Sequence, residues 1–153
     1  MNVIARIVVY VVWGLFVAYW IGAAFSVKRT IRREPVFSRS VVLVLVGAGN
    51  ILLFTSINNN VTARRLLPPY VVIDSLACIV AIAGLIVAIW ARRTLAGNWS
   101  ASVTLKEEHE LVRTGPYRYA RHPIYTGFIL MALGVALVLF SARSFGGLLL
   151  IVA

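Results

Sequence analysis

The chain has 153 residues, of which 61% are hydrophobic and 13% are charged, and its formal net charge is +10. This small number of polar side chains cannot cover the surface of a soluble globular protein. The composition therefore predicts an integral membrane protein. The positive charge does not indicate nucleic-acid binding, because the cations flank apolar runs and do not line one face of a soluble domain. The only cysteine, Cys78, excludes an intrachain disulfide.

Apolar runs predict a single all-α membrane domain over residues 1–153. The first run, residues 7–27, contains no charged side chain. At about 1.5 Å per residue it reaches across a hydrocarbon core of about 30 Å. It exceeds the apolar region of a signal peptide and a cationic cluster follows it, so we predict an uncleaved anchor. Further complete spans are predicted at residues 41–57, 71–91 and 123–142.

Two polar residues interrupt the predicted spans. Asn50 is expected to bond to a neighbouring helix, because an amide inside lipid needs a partner. Asp74 lies about one turn inside the third span. A carboxylate at this depth is a functional candidate, but a structural role is favoured, in which Asp74 reaches water or the loop arginines Arg64 and Arg65.

The loop at residues 92–122 is the longest connection, and its length favours a functional role. Gly115 and Pro116 predict a turn, because glycine permits positive φ and proline fixes its own φ. Residues 145–153 form a further apolar run that is too short to span, and we expect it to be the start of a truncated fifth helix. Gly127 and Gly134 lie on one face of the fourth span, where a neighbouring helix or a ligand can approach closely.

The start of the fourth span has the features of an anion site. Pro123 is expected at the first helical position, which pushes His122 out of the α region. The amides of Ile124, Tyr125 and Thr126 should then lack intrahelical partners and face the loop. Free amides and the positive end of the helix dipole suit a carboxylate or a phosphate.

Imidazole, phenol and guanidinium groups are concentrated around this helix start. They suit a charged, ring-bearing small molecule, but a basic loop that meets lipid phosphates through arginines and carries interfacial tyrosines has the same composition. The groups are His109, His122, Tyr117, Tyr119, Tyr125, Arg113, Arg118 and Arg121.

The distribution of Lys and Arg predicts the membrane orientation. The loops at residues 28–40 and 92–122 carry many more cations than the segments that alternate with them. The positive-inside rule therefore puts both loops in the cytoplasm and the N-terminus outside.

The order of residues at 109–127 closely resembles the signature of the isoprenylcysteine carboxyl methyltransferase family, and more loosely that of the phospholipid N-methyltransferases. The resemblance consists of HELV at 109–112, GPY at 115–117 and RHPIYTG at 121–127, with a weaker NWS at 98–100. These three blocks keep the family's spacing, and three blocks in register are far more specific than one. Members of this family are membrane enzymes that use S-adenosyl-L-methionine.

The resemblance implies a cofactor site. We assign no catalytic side chain and expect no metal, because the sequence shows no catalytic triad and no metal-binding motif. Arg113 and Arg121 are weaker candidates for substrate contact, since they also suit lipid phosphates, and Ser102 is a weaker candidate for cofactor contact. The cofactor-binding residues implied are His109, Glu110, Leu111 and Val112, largely through their backbone groups, and Tyr117, His122, Pro123, Ile124 and Tyr125.

The resemblance further implies methylation of the C-terminal carboxylate of a prenylcysteine or a similar lipophilic acceptor that enters from the bilayer. A carboxylate is already ionised at neutral pH and needs no general base. A phospholipid amine is the alternative acceptor. The family's acidic cofactor contact and substrate arginine lie in a C-terminal segment that this sequence lacks, so a noncatalytic cofactor-binding membrane protein is a third possibility.

Overall fold

A computed structural model of the chain describes residues 3–24, 36–54, 65–66, 70–95 and 114–153, with side chains of the second helix described from residue 44. In these ranges the fold is all-α, as predicted. The helices are α1 Val3–Ala24, α2 Val36–Phe54, α3 Val71–Leu95, a short 3-10 helix Gly115–Arg118, α4 Pro123–Leu139 and α5 Ala142–Val152.

The helix boundaries differ from the prediction at several places. Both α1 and α2 begin earlier than predicted, and the ends of the predicted spans, residues 25–27 and 55–57, lie outside the described residues. Helix α3 continues through Leu95, so the predicted loop at 92–122 is wrong at its start. The apolar run of α3 contains no glycine or proline near residue 91 that would end it.

The predicted fourth span, 123–142, is also too long. Helix α4 ends at Leu139 because Phe140 adopts a left-handed conformation, with φ 44°. Ser141 then caps α5, which begins at Ala142 and not at residue 145. Its side chain accepts a hydrogen bond from the Ser144 amide and Ser144 bonds back, a capping box that stabilises a helix start by about 1 kcal/mol.

Two of the described helices, α1 and α3, are long and apolar enough to cross a membrane. Helices α4 and α5 are apolar but shorter, and so is the part of α2 with described side chains. Helical segments suit a membrane because each backbone group finds its partner within the segment. The structure therefore supports an apolar helical bundle, while the four complete spans remain a prediction.

Helices α3 and α4 pack antiparallel along a seam of small residues. A Cβ at Gly127 would lie 2.6 Å from the Gly84 carbonyl oxygen, and one at Gly134 would lie 2.6 Å from the Ala81 Cβ. The prediction that a neighbouring helix approaches both glycines is confirmed. Along α3, Ala77, Ala81 and Ala88 are fully buried, so backbone meets backbone with little side chain between them.

The other contacts fix α1, α2 and α5 around this pair. Trp13 of α1 makes edge contacts with Phe54 of α2 at 5.2 Å and with Phe128 of α4 at 5.1 Å between ring centroids. A Cβ at Gly49 of α2 would lie 2.7 Å from the Gly147 carbonyl oxygen of α5. The two helix pairs are therefore joined through an aromatic cluster.

The Asn50 amide bonds within its own helix. Its nitrogen donates to the Val46 carbonyl oxygen at 2.8 Å, which is an i to i−4 contact inside α2. The expected bond to a neighbouring helix is therefore wrong for the contact that the structure describes.

Asp74 has the structural partner that was favoured over a functional role. It is 1% exposed, and its Oδ1 accepts from Nη2 of Arg65 at 2.7 Å. Arg65 belongs to the short described segment before α3, and its backbone pairs with that of Ser141. The end of the bundle that holds the start of α3 also holds the α4–α5 junction.

Candidate functional site

The turn before α4 is built on a glycine, as predicted. Gly115 has φ +58°, a left-handed conformation that residues with a Cβ rarely adopt. A Cβ there would also lie 2.9 Å from Oγ1 of Thr94, near the end of α3. The buried Pro116 follows and its carbonyl accepts the Tyr119 and Ala120 amides at 3.1 Å. The turn is therefore packed against the last turns of α3.

The helix start at Pro123 has the predicted geometry, with one correction. His122 is the N-terminal cap residue with φ −130° and ψ 61°, outside the α region, and Pro123 occupies the first helical position. The prediction of a free Thr126 amide is wrong, because it donates to the His122 carbonyl at 3.0 Å. This is the first i to i−4 bond of α4. In the described part of the chain, the Ile124 and Tyr125 amides have no acceptor.

The aromatic side chains at the helix start face outward. His122 and Tyr125 are exposed, Tyr125 to 61%, and their ring centroids lie 6.0 Å apart at an interplanar angle of 71°. Arg118 and Arg121 are exposed as well, whereas Pro123 is buried and Ile124 is half-buried. The imidazole and phenol together make an open aromatic corner beside the two amides that lack acceptors.

Tyr117 lies on the inner side of the turn and faces a cation that the sequence did not indicate. Burial raises the pKa of Tyr117 to about 12, and the opposing influence is the positive charge of Arg92. Arg92 is 3% exposed, interacts electrostatically with the phenols of Tyr19 and Tyr117, and donates from Nη2 to the Ala23 carbonyl at 2.8 Å. It joins the ends of α1 and α3 to the turn.

The raised pKa of Tyr117 gives a measurable alkaline signature. The pKa of Tyr117 in the folded protein is above its ordinary value of 10.0, so folding favours the neutral phenol. The free energy of unfolding should therefore fall as the pH rises from about 10 to about 12. Following phenolate absorbance, we expect the difference between wild type and Tyr117→Phe to titrate with a midpoint near pH 12. A difference titration centred near pH 10 would show that the phenol is exposed.

The described residues thus assemble only part of the predicted site. Tyr117, His122, Pro123, Ile124, Tyr125 and Arg121 all lie at the end of the bundle that holds the last turns of α1 and α3. In the described ranges, no hydrogen bond or ring contact joins Tyr117 to His122 or Tyr125. Outside the described residues lie Ser102, His109, Glu110, Leu111, Val112 and Arg113.

The described charges at this end of the bundle suit an organic anion. Among the described residues, no group of three or more His, Cys, Asp or Glu side chains could hold a metal. The first turn of α4 contains no acidic residue, and the last turn of α3 contributes the cations Arg92 and Arg93. Within the described part of the chain, a carboxylate near these amides would therefore lie at the positive end of α4 and on the same end of the bundle as two cations.

Comparison with known proteins covers the half of the chain that carries these elements. The family profile described as isoprenylcysteine carboxyl methyltransferase (ICMT) matches residues 76–153, just over half of the chain. The relative named protein-S-isoprenylcysteine O-methyltransferase from Saccharomyces cerevisiae is 38% identical over 71 residues. That alignment covers 45% of this chain and 30% of the yeast protein.

No solved structure matches the chain significantly. The family match begins inside α3 and continues through the turn, α4 and α5, which are the elements that form the site described above. The apolar helices and the family both indicate a membrane protein. The chain belongs to the isoprenylcysteine carboxyl methyltransferase family.

Proposed function

We propose that the chain is a membrane methyltransferase that uses S-adenosyl-L-methionine to methylate the C-terminal carboxylate of a prenylcysteine or a similar lipophilic acceptor. The observation that carries this proposal is the family match over residues 76–153, which contains the turn at Gly115 and the helix start at Pro123. The yeast relative, whose name states the same activity, supports the choice of acceptor.

The helix start fits the charged parts of this cofactor. The free amides of Ile124 and Tyr125 suit its carboxylate, because they lie at the positive end of α4. The exposed rings of His122 and Tyr125 suit its positively charged sulfur, since a cation is attracted to an aromatic face. Tyr117 keeps its phenol proton at neutral pH and is available as a hydrogen-bond donor.

The proposed reaction asks the protein for positioning and not for proton transfer. When bound, S-adenosyl-L-methionine would supply an electrophilic methyl group, whose bond to the cationic sulfur would break as the bond to the acceptor oxygen forms, leaving a neutral thioether. The acceptor carboxylate is ionised at neutral pH, so no general base is required. Holding two reactants in line supplies much of such an acceleration. The residues of the turn and the helix start would therefore act by orientation.

The remaining cofactor contacts and the membrane orientation belong to the same proposal. His109, Glu110, Leu111 and Val112 would complete the cofactor site, as their match to the family signature implies. Arg113 and Arg121 are the weaker candidates for substrate contact. We propose four complete spans, the N-terminus outside and the site in the cytoplasm, where the cofactor is available. The positive-inside count supports this orientation.

Methyl transfer by the full chain in detergent or nanodiscs tests the proposal. Tritium should pass from labelled cofactor to a farnesylated cysteine analogue. The substitutions His122→Ala and Tyr125→Ala should each lower kcat/KM for the cofactor about tenfold, the equivalent of about 1.4 kcal/mol. Tyr119→Ala is the matched control, because Tyr119 is 80% exposed and has no ring contact in the described structure.

Two outcomes would redirect the proposal. Transfer to phosphatidylethanolamine instead of the farnesylated analogue would indicate a phospholipid amine as acceptor. Cofactor binding without transfer to either compound, with transfer restored by a C-terminal segment from a family member, would indicate a noncatalytic chain. If His122→Ala and Tyr125→Ala left both cofactor affinity and turnover unchanged, the site assignment would be wrong.

A further inference from the structure

The end of the bundle opposite the candidate site contains a second cluster of charged side chains. The backbones of Arg65 and Ser141 pair as an isolated antiparallel bridge, and the Leu66 amide donates to the Phe140 carbonyl at 2.8 Å. This pairing holds the segment before α3 against the α4–α5 junction. Arg143 is the second residue of α5, so two guanidinium groups extend from adjoining segments.

The hydrogen-bonding capacity of these two arginines is mostly unused. Arg65 is 12% exposed and gives one bond, from Nη2 to Asp74. Its Nε and Nη1 are buried and have no acceptor among the described residues, and the same holds for Nε and Nη1 of the half-buried Arg143. Buried guanidinium N–H groups are costly unless each reaches an acceptor, and the described residues supply none for these four nitrogens.

The charge balance identifies that ligand as an anion. In the described residues, the adjoining segments and the start of α3 carry two guanidiniums, Arg65 and Arg143, and one carboxylate, Asp74, which leaves a positive excess. The start of α5 adds the positive end of a helix dipole, and its first turn contains no acidic residue. An arginine in the first turn of a helix is electrostatically unfavourable unless an anion lies beside it.

We propose that Arg65 and Arg143 bind a phosphate group at this end of the bundle. Phosphate oxygens accept from several guanidinium N–H groups at once, and the planar fork of arginine matches this geometry. Asp74 fixes the Arg65 side chain by accepting from Nη2, whereas Nε and Nη1 have no acceptor in the described structure. Helices α1 and α3 are long and apolar enough to cross a membrane, so the start of α3 is expected near a membrane surface. A phospholipid headgroup is therefore one source of the phosphate, and free inorganic phosphate is the other.

Lipid binding by the purified full chain, measured by native mass spectrometry, tests this site. The probes are dioleoylphosphatidylglycerol and, separately, inorganic phosphate. Arg143→Gln should lower the affinity for the lipid about tenfold, since it removes one of two guanidiniums but no hydrogen bond in the described structure. Arg118→Gln is the matched control, an exposed arginine at the other end of the bundle, and should bind the lipid as wild type does.

A second variant separates phosphate recognition from folding. Arg65→Lys keeps a cation for Asp74 but removes the fork, so it should fold and still lose lipid affinity. One result would support the site and identify free phosphate as the ligand. In that case inorganic phosphate at millimolar concentration would displace the lipid from the wild type, and both variants would lose affinity for phosphate to the same extent as for the lipid. Equal lipid affinity in wild type, Arg143→Gln, Arg65→Lys and Arg118→Gln would overturn the proposal.

Discussion

Gly127→Leu is expected to prevent the α3–α4 pair from forming. A Cβ at this position would lie 2.6 Å from the Gly84 carbonyl oxygen and 2.7 Å from the Ala88 amide nitrogen, so backbone and not a flexible side chain blocks it. The two helices would have to separate, at a cost of about 3 kcal/mol. The detergent-solubilised variant would be heated in steps and analysed by size-exclusion chromatography. It should show little or no monodisperse protein.

Gly14→Leu is the control for added hydrophobicity. Gly14 lies in α1, and a Cβ there meets no atom within 4 Å, so the same side chain should be tolerated. If Gly127→Leu were as stable as Gly14→Leu, the close approach of α3 and α4 would not exist in the protein. Gly127 closes the RHPIYTG signature, and its role in this fold is to bring the start of α4 against α3.

The turn and the helix start at the site could be predicted from the sequence, because glycine permits positive φ and proline fixes φ wherever they occur. Gly115 has the expected positive φ, and Pro123 starts α4 with His122 outside the α region. The left-handed residue between α4 and α5 could not be predicted. Phe140 occupies it, and an aromatic residue gives no signal for that conformation.

The packing of the helices was less predictable than their positions. Helix α3 is apolar on every face, so hydrophobic periodicity does not reveal that its small residues at 77, 81, 84 and 88 meet α4. The same limit applies to the site. Arg92 was interpreted as a loop cation, but α3 continues past it and buries it against the Ala23 carbonyl, beside Tyr117. Such a contact is set by tertiary packing, which one sequence does not show.

Asp74→Asn is expected to destabilise the fold by roughly 3 kcal/mol, because it removes one partner of a buried ion pair. Asp74 is 1% exposed and is the described acceptor for Nη2 of Arg65 at 2.7 Å. Without the carboxylate, the guanidinium remains buried and its segment loses a tie to the start of α3. The thermal midpoint of the purified variant should fall well below that of the wild type.

The double variant Arg65→Gln/Asp74→Asn distinguishes the ion pair from other roles of Asp74. Replacing both charges leaves neither group buried alone, so it should recover most of the stability that Asp74→Asn loses. If the double variant were no more stable than Asp74→Asn, the loss would arise from the helix start of α3 and not from the pair.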